Sequence, residues 1–134
     1  MNLHHAEPEE VDGVVISSVV PEVSAPIQRA LAHICGVQPL LLGPGVKTGL
    51  NILIDNPAQL GTDLVADAVA AIAKYPLPCV IFDLGTATTV SFLDKNGNYL
   101  GGMICAGVNI MLHALTTQTA LLPHISLQNP NHFI

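Results

Sequence analysis

One segment of the chain, residues 83–89 with the sequence DLGTATT, has the composition of a phosphate-binding loop. Gly85 has no side chain, so a phosphate can approach the backbone there, and Thr86 and its neighbouring threonines offer hydroxyl donors. The carboxylate of Asp83 is an oxygen ligand of the kind that hard cations prefer. The segment therefore predicts a phosphate-facing loop between two strands, with Asp83 as a cation ligand. From spacing alone, a plain hairpin of β-forming residues remains the alternative.

A second candidate for chemistry is Asp63, which lies in the segment GTDL at residues 61–64, where a helix is predicted to begin. An aspartate at this place is typical either of a helix cap or of a group that orients a substrate hydroxyl. Phosphoryl transfer has a loose transition state, so orienting the attacking hydroxyl matters more than strong basicity. Both interpretations of Asp63 stay open at this point.

The glycine-rich segment at residues 43–51 contains Lys47 and Thr48 in the order found at the end of a nucleotide-binding P-loop. Its glycine spacing differs from that motif, and the residues DNP at 55–57 follow where the motif would enter a helix. We therefore reject the P-loop interpretation. A turn-rich connector and a wall of a substrate pocket both remain open for this segment.

Charge and hydropathy exclude several classes of function. The net charge is −6, and the fixed cations are few: Arg29, Lys47, Lys74 and Lys95. Nucleic-acid binding requires a basic face, so this class of partner is excluded. No apolar run is long enough to cross a bilayer, which predicts no membrane partner and a cytoplasmic protein. The cysteines (Cys35, Cys79 and Cys105) are widely separated and predict neither disulfides nor a metal site.

The first part of the chain alternates between strand and helix patterns. Residues 1–10 are predicted to be a disordered lead-in, and 11–20 a strand buried on both faces. Residues 25–34 have apolar positions at helical spacing before Gly36, and 39–42 form a short apolar strand. Strand, helix and strand in this order predict an α/β layer.

The second part begins with a long loop at residues 43–59, in which alternation at 50–54 predicts an edge strand. The clearest helix spans 62–74, capped by Thr62 or Asp63. A three-stranded antiparallel meander and a final helix follow, with these predicted bounds: strands 79–82, 88–93 and 99–105, a tight turn at 94–98, and a helix at 107–122. A change of composition at residues 75–78 marks a junction between two modules.

Several motifs in this order resemble the type III pantothenate kinases. The matching segments are ISSVVP at 16–21, GPGVKTGLNI at 43–52, DNP at 55–57, GTD at 61–63, DLGTATT at 83–89, GGMI at 101–104, and Gly107. The resemblance covers residues 11–127. It implies ATP-dependent phosphorylation of pantothenate, the first step towards coenzyme A. It also implies an α/β fold class, part of a duplicated RNase H-like, actin-like fold with mixed sheets flanked by helices, in which a homodimer forms the substrate pocket.

The resemblance also assigns parts of the chain. Residues 11–77 would be the C-terminal part of the first RNase H-like half, and 78–134 the N-terminal part of the second. Asp63 would accept the proton of the pantothenate hydroxyl. The site residues that it implies are Gly61, Thr62, Asp63 and Leu64 for pantothenate, Thr86 and Gly85 for ATP, and Asp83 for a potassium or ammonium ion. Magnesium would accompany ATP.

Some positions depart from the pattern of the family. The D-x-G-N-T phosphate loop with which the family usually begins has no counterpart here. Leu64 stands where an arginine often follows the aspartate, Gln118 replaces a basic residue, and Ala106 replaces a proline. These departures leave a second hypothesis open, namely a catalytically incomplete fragment or degenerate copy that only binds or dimerises, and predict that this chain alone is inactive.

Overall fold

The computed structural model describes residues 7–43, 46–123, 125 and 127. Within them the chain forms helices α1 (Pro21–Cys35), α2 (Thr62–Lys74) and α3 (Val108–Gln118). The strands are β1 (Val15–Ile16), β2 (Leu40–Leu41), β3 (Asn51–Ile52), β4 (Cys79–Leu84), β5 (Ala87–Leu93) and β6 (Asn98–Ala106). Short 3-10 helices lie at Pro8–Glu10 and Pro57–Gln59. The predicted α/β class is confirmed. Within the described residues, no helix has the length and apolar character needed to span a bilayer.

The strands form two sheets. β1 pairs in parallel with β2, and a four-stranded sheet has the order β3-β6-β5-β4. In that sheet β4, β5 and β6 are antiparallel, which confirms the predicted meander, and β3 runs parallel to β6. The edge strand predicted in the long loop is therefore β3. The division of the chain at residue 77 stays a prediction, and β3, which precedes it, pairs with β6, which follows it.

The turn between β5 and β6 forms as predicted, because its residues supply local hydrogen bonds. Asp94 Oδ1 accepts hydrogen bonds of 2.8 Å from the backbone amides of Asn96 and Asn98. Gly97 has a φ of +80°, a conformation that glycine adopts without strain. The pKa of Asp94 is lowered from its usual value, chiefly by the hydrogen bond from the Asn98 side chain. The hydrogen bond from the backbone amide of Asn98 is the next largest cause.

The core lies between α2 and the four-stranded sheet. Ala68 and Ala71 of α2 pack there with Leu93 of β5 and Tyr99 of β6, all of them buried. Small residues on α2 let the helix approach the sheet closely. The Tyr99 hydroxyl lies 3.0 Å from Ser91 Oγ, so both buried polar groups are hydrogen-bonded. Burial of the apolar face of α2 explains why the periodicity of residues 62–74 predicted its bounds correctly.

The predicted strand at 11–20 is wrong in length and burial. Only Val15–Ile16 is a strand, and Val15 is 67% exposed. Among the described residues, β1 pairs with β2 alone, and the pairing joins two residues of each strand. Most of the apolar run is therefore not part of a sheet. The lead-in at 1–10 is wrong for residues 8–10, which form a 3-10 helix, and residues 1–6 lie outside the described part.

Two helices differ from their predicted bounds. α1 begins at Pro21, earlier than predicted, because a proline suits the first turn, where its missing N–H has no helical partner. It ends before Gly36, whose φ is +69°, as predicted. α3 ends at Gln118 rather than at 122. Near its end, the hydroxyls of Thr117 and Thr119 donate to the carbonyls four residues back, which competes with continuing the helix.

The strands of the meander extend beyond their predicted ends, and β4 is not buried as predicted. β4 continues to Leu84, and β6 spans Asn98–Ala106. Phe82 is 66% exposed and Leu84 72% exposed. Phe82 and Leu84 lie on the opposite face of β4 from Cys79 and Ile81, which pack against the core, because successive side chains of a strand alternate between its two faces.

Candidate active site

The DLGTATT segment is a tight hairpin rather than a seven-residue loop. Asp83 pairs with Thr89 and Leu84 with Thr88 in the β4–β5 ladder, so only Gly85 and Thr86 lie in the turn. β-branched threonines favour strand conformation, which explains why the ladder continues to the turn. The backbone therefore has hairpin geometry, with a turn shorter than predicted, and the phosphate-facing role of the segment stays a prediction. The side chain of Asp83 nevertheless lies beside the turn, with its carboxylate oxygens 3.8 and 4.0 Å from the point where a Cβ on Gly85 would stand.

The β4–β5 turn packs against the start of α3. The N–H of Gly107, the residue before α3, donates a 3.0 Å hydrogen bond to the carbonyl oxygen of Thr86. A Cβ on Gly107 would overlap the carbonyl oxygens of Gly85 and Thr86. The positive end of the α3 dipole therefore lies at this turn. Spacing alone gave Gly107 no role, and the available signal was a glycine directly before a helix.

The start of α2 is arranged differently from its prediction. The N-cap residue is Gly61, and no side chain caps the helix, so the predicted cap by Thr62 or Asp63 is wrong. The Thr62 hydroxyl instead accepts a 3.1 Å hydrogen bond from Ser17 Oγ and donates to the Ser18 carbonyl at 3.5 Å. The Asp63 carboxylate folds back over Gly61, where a Cβ would overlap its Oδ1.

A cavity of about 960 Å³ lies between α2 and β4. Asp63 of α2 and Asp83 of β4 both line it, so the fold brings these two candidates to one site. Gly61, Thr62 and Leu64 adjoin Asp63 in the chain but are not among its lining residues. Gly85 and Thr86 are likewise outside the lining, in the turn that follows Asp83.

Asp67 is a third carboxylate in this cavity, and sequence reasoning missed it. It lies one helical turn after Asp63, and this spacing was the available signal, because residues four apart share a helix face. Burial raises the pKa of Asp67, and the negative charges of Asp83 and Asp63 raise it further. Lys74, at the end of α2, is the cation among the described residues that line the cavity. Such a surface favours hydroxyl donors and cations over free anions.

In the described part of the chain, no three His, Cys, Asp or Glu side chains converge so that they could hold a metal ion. The cation predicted at Asp83 would therefore need further oxygen ligands, for which the backbone carbonyls and hydroxyls of the adjacent turn have suitable chemistry. A hard monovalent cation fits this oxygen donor set. The assignment of Asp83 as its ligand stays a prediction.

Comparisons with known proteins point to one family. A family model described as type III pantothenate kinase matches residues 1–134. A protein of Exiguobacterium sp. (strain ATCC BAA-1283 / AT1b) named type III pantothenate kinase is 46% identical over 122 residues, 91% of this chain and 48% of that protein. A protein of the same name from Listeria monocytogenes serotype 4a (strain HCC23) is 39% identical over 127 residues, 95% of this chain and 49% of that protein. The chain spans about half the length of these curated relatives.

Proposed function

The chain belongs to the type III pantothenate kinase family, and on that premise we propose that the protein transfers the γ-phosphoryl group of ATP to the primary hydroxyl of pantothenate. The observation that carries this proposal is that Asp63 and Asp83, which belong to separate motifs, line one cavity. Asp63 is then available to bind the hydroxyl of the phosphoryl acceptor, pantothenate. Asp83 is available to bind a cation beside the phosphates of the donor, ATP.

Asp63 orients the acceptor hydroxyl. Its carboxylate accepts a hydrogen bond from that hydroxyl, so that the oxygen points towards the γ-phosphorus. As the new oxygen–phosphorus bond forms, the bond from the γ-phosphorus to the bridging oxygen breaks, ADP leaves, and the hydroxyl proton passes to Asp63. Because the transition state is loose, positioning supplies most of the acceleration, and strong basicity is not needed.

The turn between β4 and β5 holds the nucleotide. Gly85 lets a phosphate approach the backbone, and the Thr86 hydroxyl donates a hydrogen bond to it. Asp83 would hold a potassium or ammonium ion, and magnesium would enter with ATP. These ions would neutralise the charge of the phosphates. The cavity needs them because Lys74, the cationic side chain in its described lining, lies at the C-terminal end of α2, whereas Asp63 lies at the start of that helix.

The first turn of α2 receives pantothenate. Because Gly61 cannot cap this helix, the N–H groups of residues 62–64 have no side-chain partner among the described residues and can donate to substrate oxygens. Leu64 replaces the arginine that often follows the aspartate, so these backbone donors take a larger share of the binding. Side chains on α3 support the further proposal of a homodimer, since Ile110 and Leu115 are 48% and 50% exposed. We place the protein in the cytoplasm, where ATP and pantothenate are available.

A second candidate function is a non-catalytic copy that binds ligand or dimerises. It is favoured by Leu64 and Gln118, which stand where the family often has basic residues, because their neutral side chains remove anchors for anionic groups of the substrates. The two candidates differ in turnover. The kinase predicts ADP release that requires pantothenate, whereas the non-catalytic copy predicts pantothenate binding without ADP release.

The test is an ADP-release assay with ATP, magnesium, potassium and pantothenate, run on this chain and on an extended form that carries an N-terminal D-x-G-N-T segment; the variants are compared in the form that is active. Asp63→Asn should lower kcat by roughly 100-fold or more, because a neutral amide is a weaker acceptor than a carboxylate, so it orients the hydroxyl poorly and does not take its proton. Asp12→Asn, which changes an aspartate outside the cavity lining, is the matched control and should leave kcat unchanged. Equal turnover by the wild type and Asp63→Asn would refute the role of Asp63. Replacing potassium by sodium tests the cation separately and should lower turnover.

A further inference from the structure

Ser17 lies far from Asp63 in sequence but close to it in the fold. The Ser17 hydroxyl donates a 3.1 Å hydrogen bond to the hydroxyl of Thr62, the residue that directly precedes Asp63. Ser17 also lines the α2–β4 cavity together with Asp63. One serine thus contacts both the cavity and the first residue of the helix that carries the candidate proton acceptor.

The contact has a mechanical consequence, because the start of α2 lacks a cap of its own. Gly61 supplies no side chain, and Thr62 uses its hydroxyl outside the helix, towards the segment that follows β1. Since Ser17 donates to Thr62 Oγ1, the single Thr62 proton remains directed at the Ser18 carbonyl. Two hydrogen bonds in series therefore hold the first turn of α2 against the segment after β1.

We propose that Ser17 is a positioning residue that holds the first turn of α2 through Thr62 and so fixes the direction of the Asp63 carboxylate. The proposal rests on the proposed function only in that Asp63 is taken to orient the acceptor hydroxyl. Displacing a catalytic group by about 1 Å can lower a rate by roughly 100-fold. The loss of a hydroxyl that does not touch the reacting atoms is thus expected to reduce kcat while leaving the KM for ATP unchanged.

Ser91, on the four-stranded sheet, offers a control. It is buried, its hydroxyl lies 3.0 Å from the Tyr99 hydroxyl, and it is neither a hydrogen-bond partner of Thr62 nor a residue of the cavity lining. Ser91→Ala should therefore lower the melting temperature without changing kcat. Ser17 is exposed, so Ser17→Ala should do the reverse. A merely structural role for Ser17 would make the two variants behave alike.

The experiment combines a rotamer measurement that needs no turnover with steady-state kinetics. Three-bond NMR couplings report the χ1 distribution of Asp63 in the wild type, Ser17→Ala, Ser17→Thr and Ser91→Ala. We expect one dominant χ1 rotamer of Asp63 in the wild type, in the control variant and in Ser17→Thr, because threonine retains the Oγ donor. Ser17→Ala should show a mixture of rotamers. In kinetics, kcat should fall roughly 10- to 100-fold in Ser17→Ala and recover in Ser17→Thr. Unchanged Asp63 couplings in Ser17→Ala would overturn the proposal.

Thr62→Val removes the same hydrogen bond from the other side and covers the case in which Ser17→Ala does not fold. It should broaden the Asp63 rotamer distribution, and where Ser17→Ala folds, the double variant should add nothing further. The proposal would be contradicted if the effects of Ser17→Ala and Thr62→Val on the Asp63 rotamer distribution were additive in the double variant. It would also be contradicted if Thr62→Val left that distribution unchanged. If the form extended by a D-x-G-N-T segment binds pantothenate but releases no ADP, the proposed function fails, while the couplings still decide the role of Ser17.

Discussion

The backbone of Gly107 lies directly against the carbonyl oxygen of Thr86 and donates a 3.0 Å hydrogen bond to it. This contact joins the start of α3 to the β4–β5 turn, which holds two of the candidate nucleotide-binding residues. The close approach requires a residue without a Cβ, because a Cβ there would overlap the carbonyl oxygens of Gly85 and Thr86. The conformation of the turn therefore depends on a glycine in another element.

Gly107→Ala should destabilise the fold and open the β4–β5 turn. The atoms in the way are backbone carbonyls, which do not move aside as a flexible side chain would, so a loss of about 1–3 kcal/mol is expected. Urea unfolding measures the loss, and titration with ATP should show weaker binding. Gly13→Ala is the control, because a Cβ on Gly13 would meet nothing within 4 Å. Equal unfolding midpoints for the two variants would contradict the prediction.

Tyr99 and Ser91 should show strong energetic coupling. Their hydroxyls are 3.0 Å apart, and the residues are 1% and 2% exposed, so each hydroxyl depends on the other as its partner. Tyr99→Phe should lower the free energy of unfolding by about 1–3 kcal/mol, because it leaves a buried hydroxyl unpaired. A double-mutant cycle with Ser91→Ala measures the coupling from urea unfolding. Strictly additive losses would show that the hydrogen bond contributes little.

Asp67→Asn should stabilise the protein near neutral pH. The pKa of Asp67 is raised above 3.8 by burial and by Asp83 and Asp63, so the folded state binds its proton more tightly than the unfolded state does. The contribution of Asp67 to the free energy of unfolding falls as the pH rises from 3.8 through the raised pKa. Above the raised pKa, the charged carboxylate opposes folding. The melting temperature of Asp67→Asn should exceed that of the wild type at about pH 7, and the difference should shrink towards about pH 4. A constant difference across this range would refute the prediction.

Asp94→Ala should have the opposite pH dependence. The pKa of Asp94 is lowered from 3.8, chiefly by the side chain and amide of Asn98. A lowered folded pKa contributes stability above pH 3.8 that is lost as the pH falls through the folded value. The variant should therefore melt below the wild type at neutral pH, and the two curves should converge in acid. Thermal melts across the acid range provide the measurement, and Asp12→Ala, which removes the same charge from an exposed position outside this turn, is the control.

The features predicted correctly from sequence depend on neighbouring residues. The bounds of α2 follow from its apolar periodicity, and the end of α1 follows from Gly36. The β5–β6 turn is specified by Asp94 and Gly97, through hydrogen bonds and a positive φ inside the turn itself. Each signal lies within a few residues of the feature that it predicts, so it does not depend on how the rest of the chain packs.

The errors arose where burial or pairing depends on distant residues. The apolar run at 11–20 has the composition of a buried strand, but strand formation needs a partner, and β2 supplies only two paired residues. The predicted strand at 79–82 stopped short of Asp83 and Leu84 because these two residues were assigned to the phosphate-facing loop, although Thr89 and Thr88 opposite them lay in the next predicted strand. Asp67 was missed because its pKa is raised chiefly by burial and then by the charges of Asp83 and Asp63, and both burial and the approach of Asp83 depend on how α2 packs against β4.

The sequence by itself determined the family, the α/β class and the identity of the candidate residues Asp63, Asp83 and Thr86, because these depend on residue type, order and spacing. The tertiary structure decided which of them meet. It placed Asp63 and Asp83 in one cavity, added Asp67 to them, and joined Ser17 to Thr62 across 45 residues of chain. Such contacts are set by the packing of α2 on the sheet, and packing energy is shared among residues that no local pattern connects.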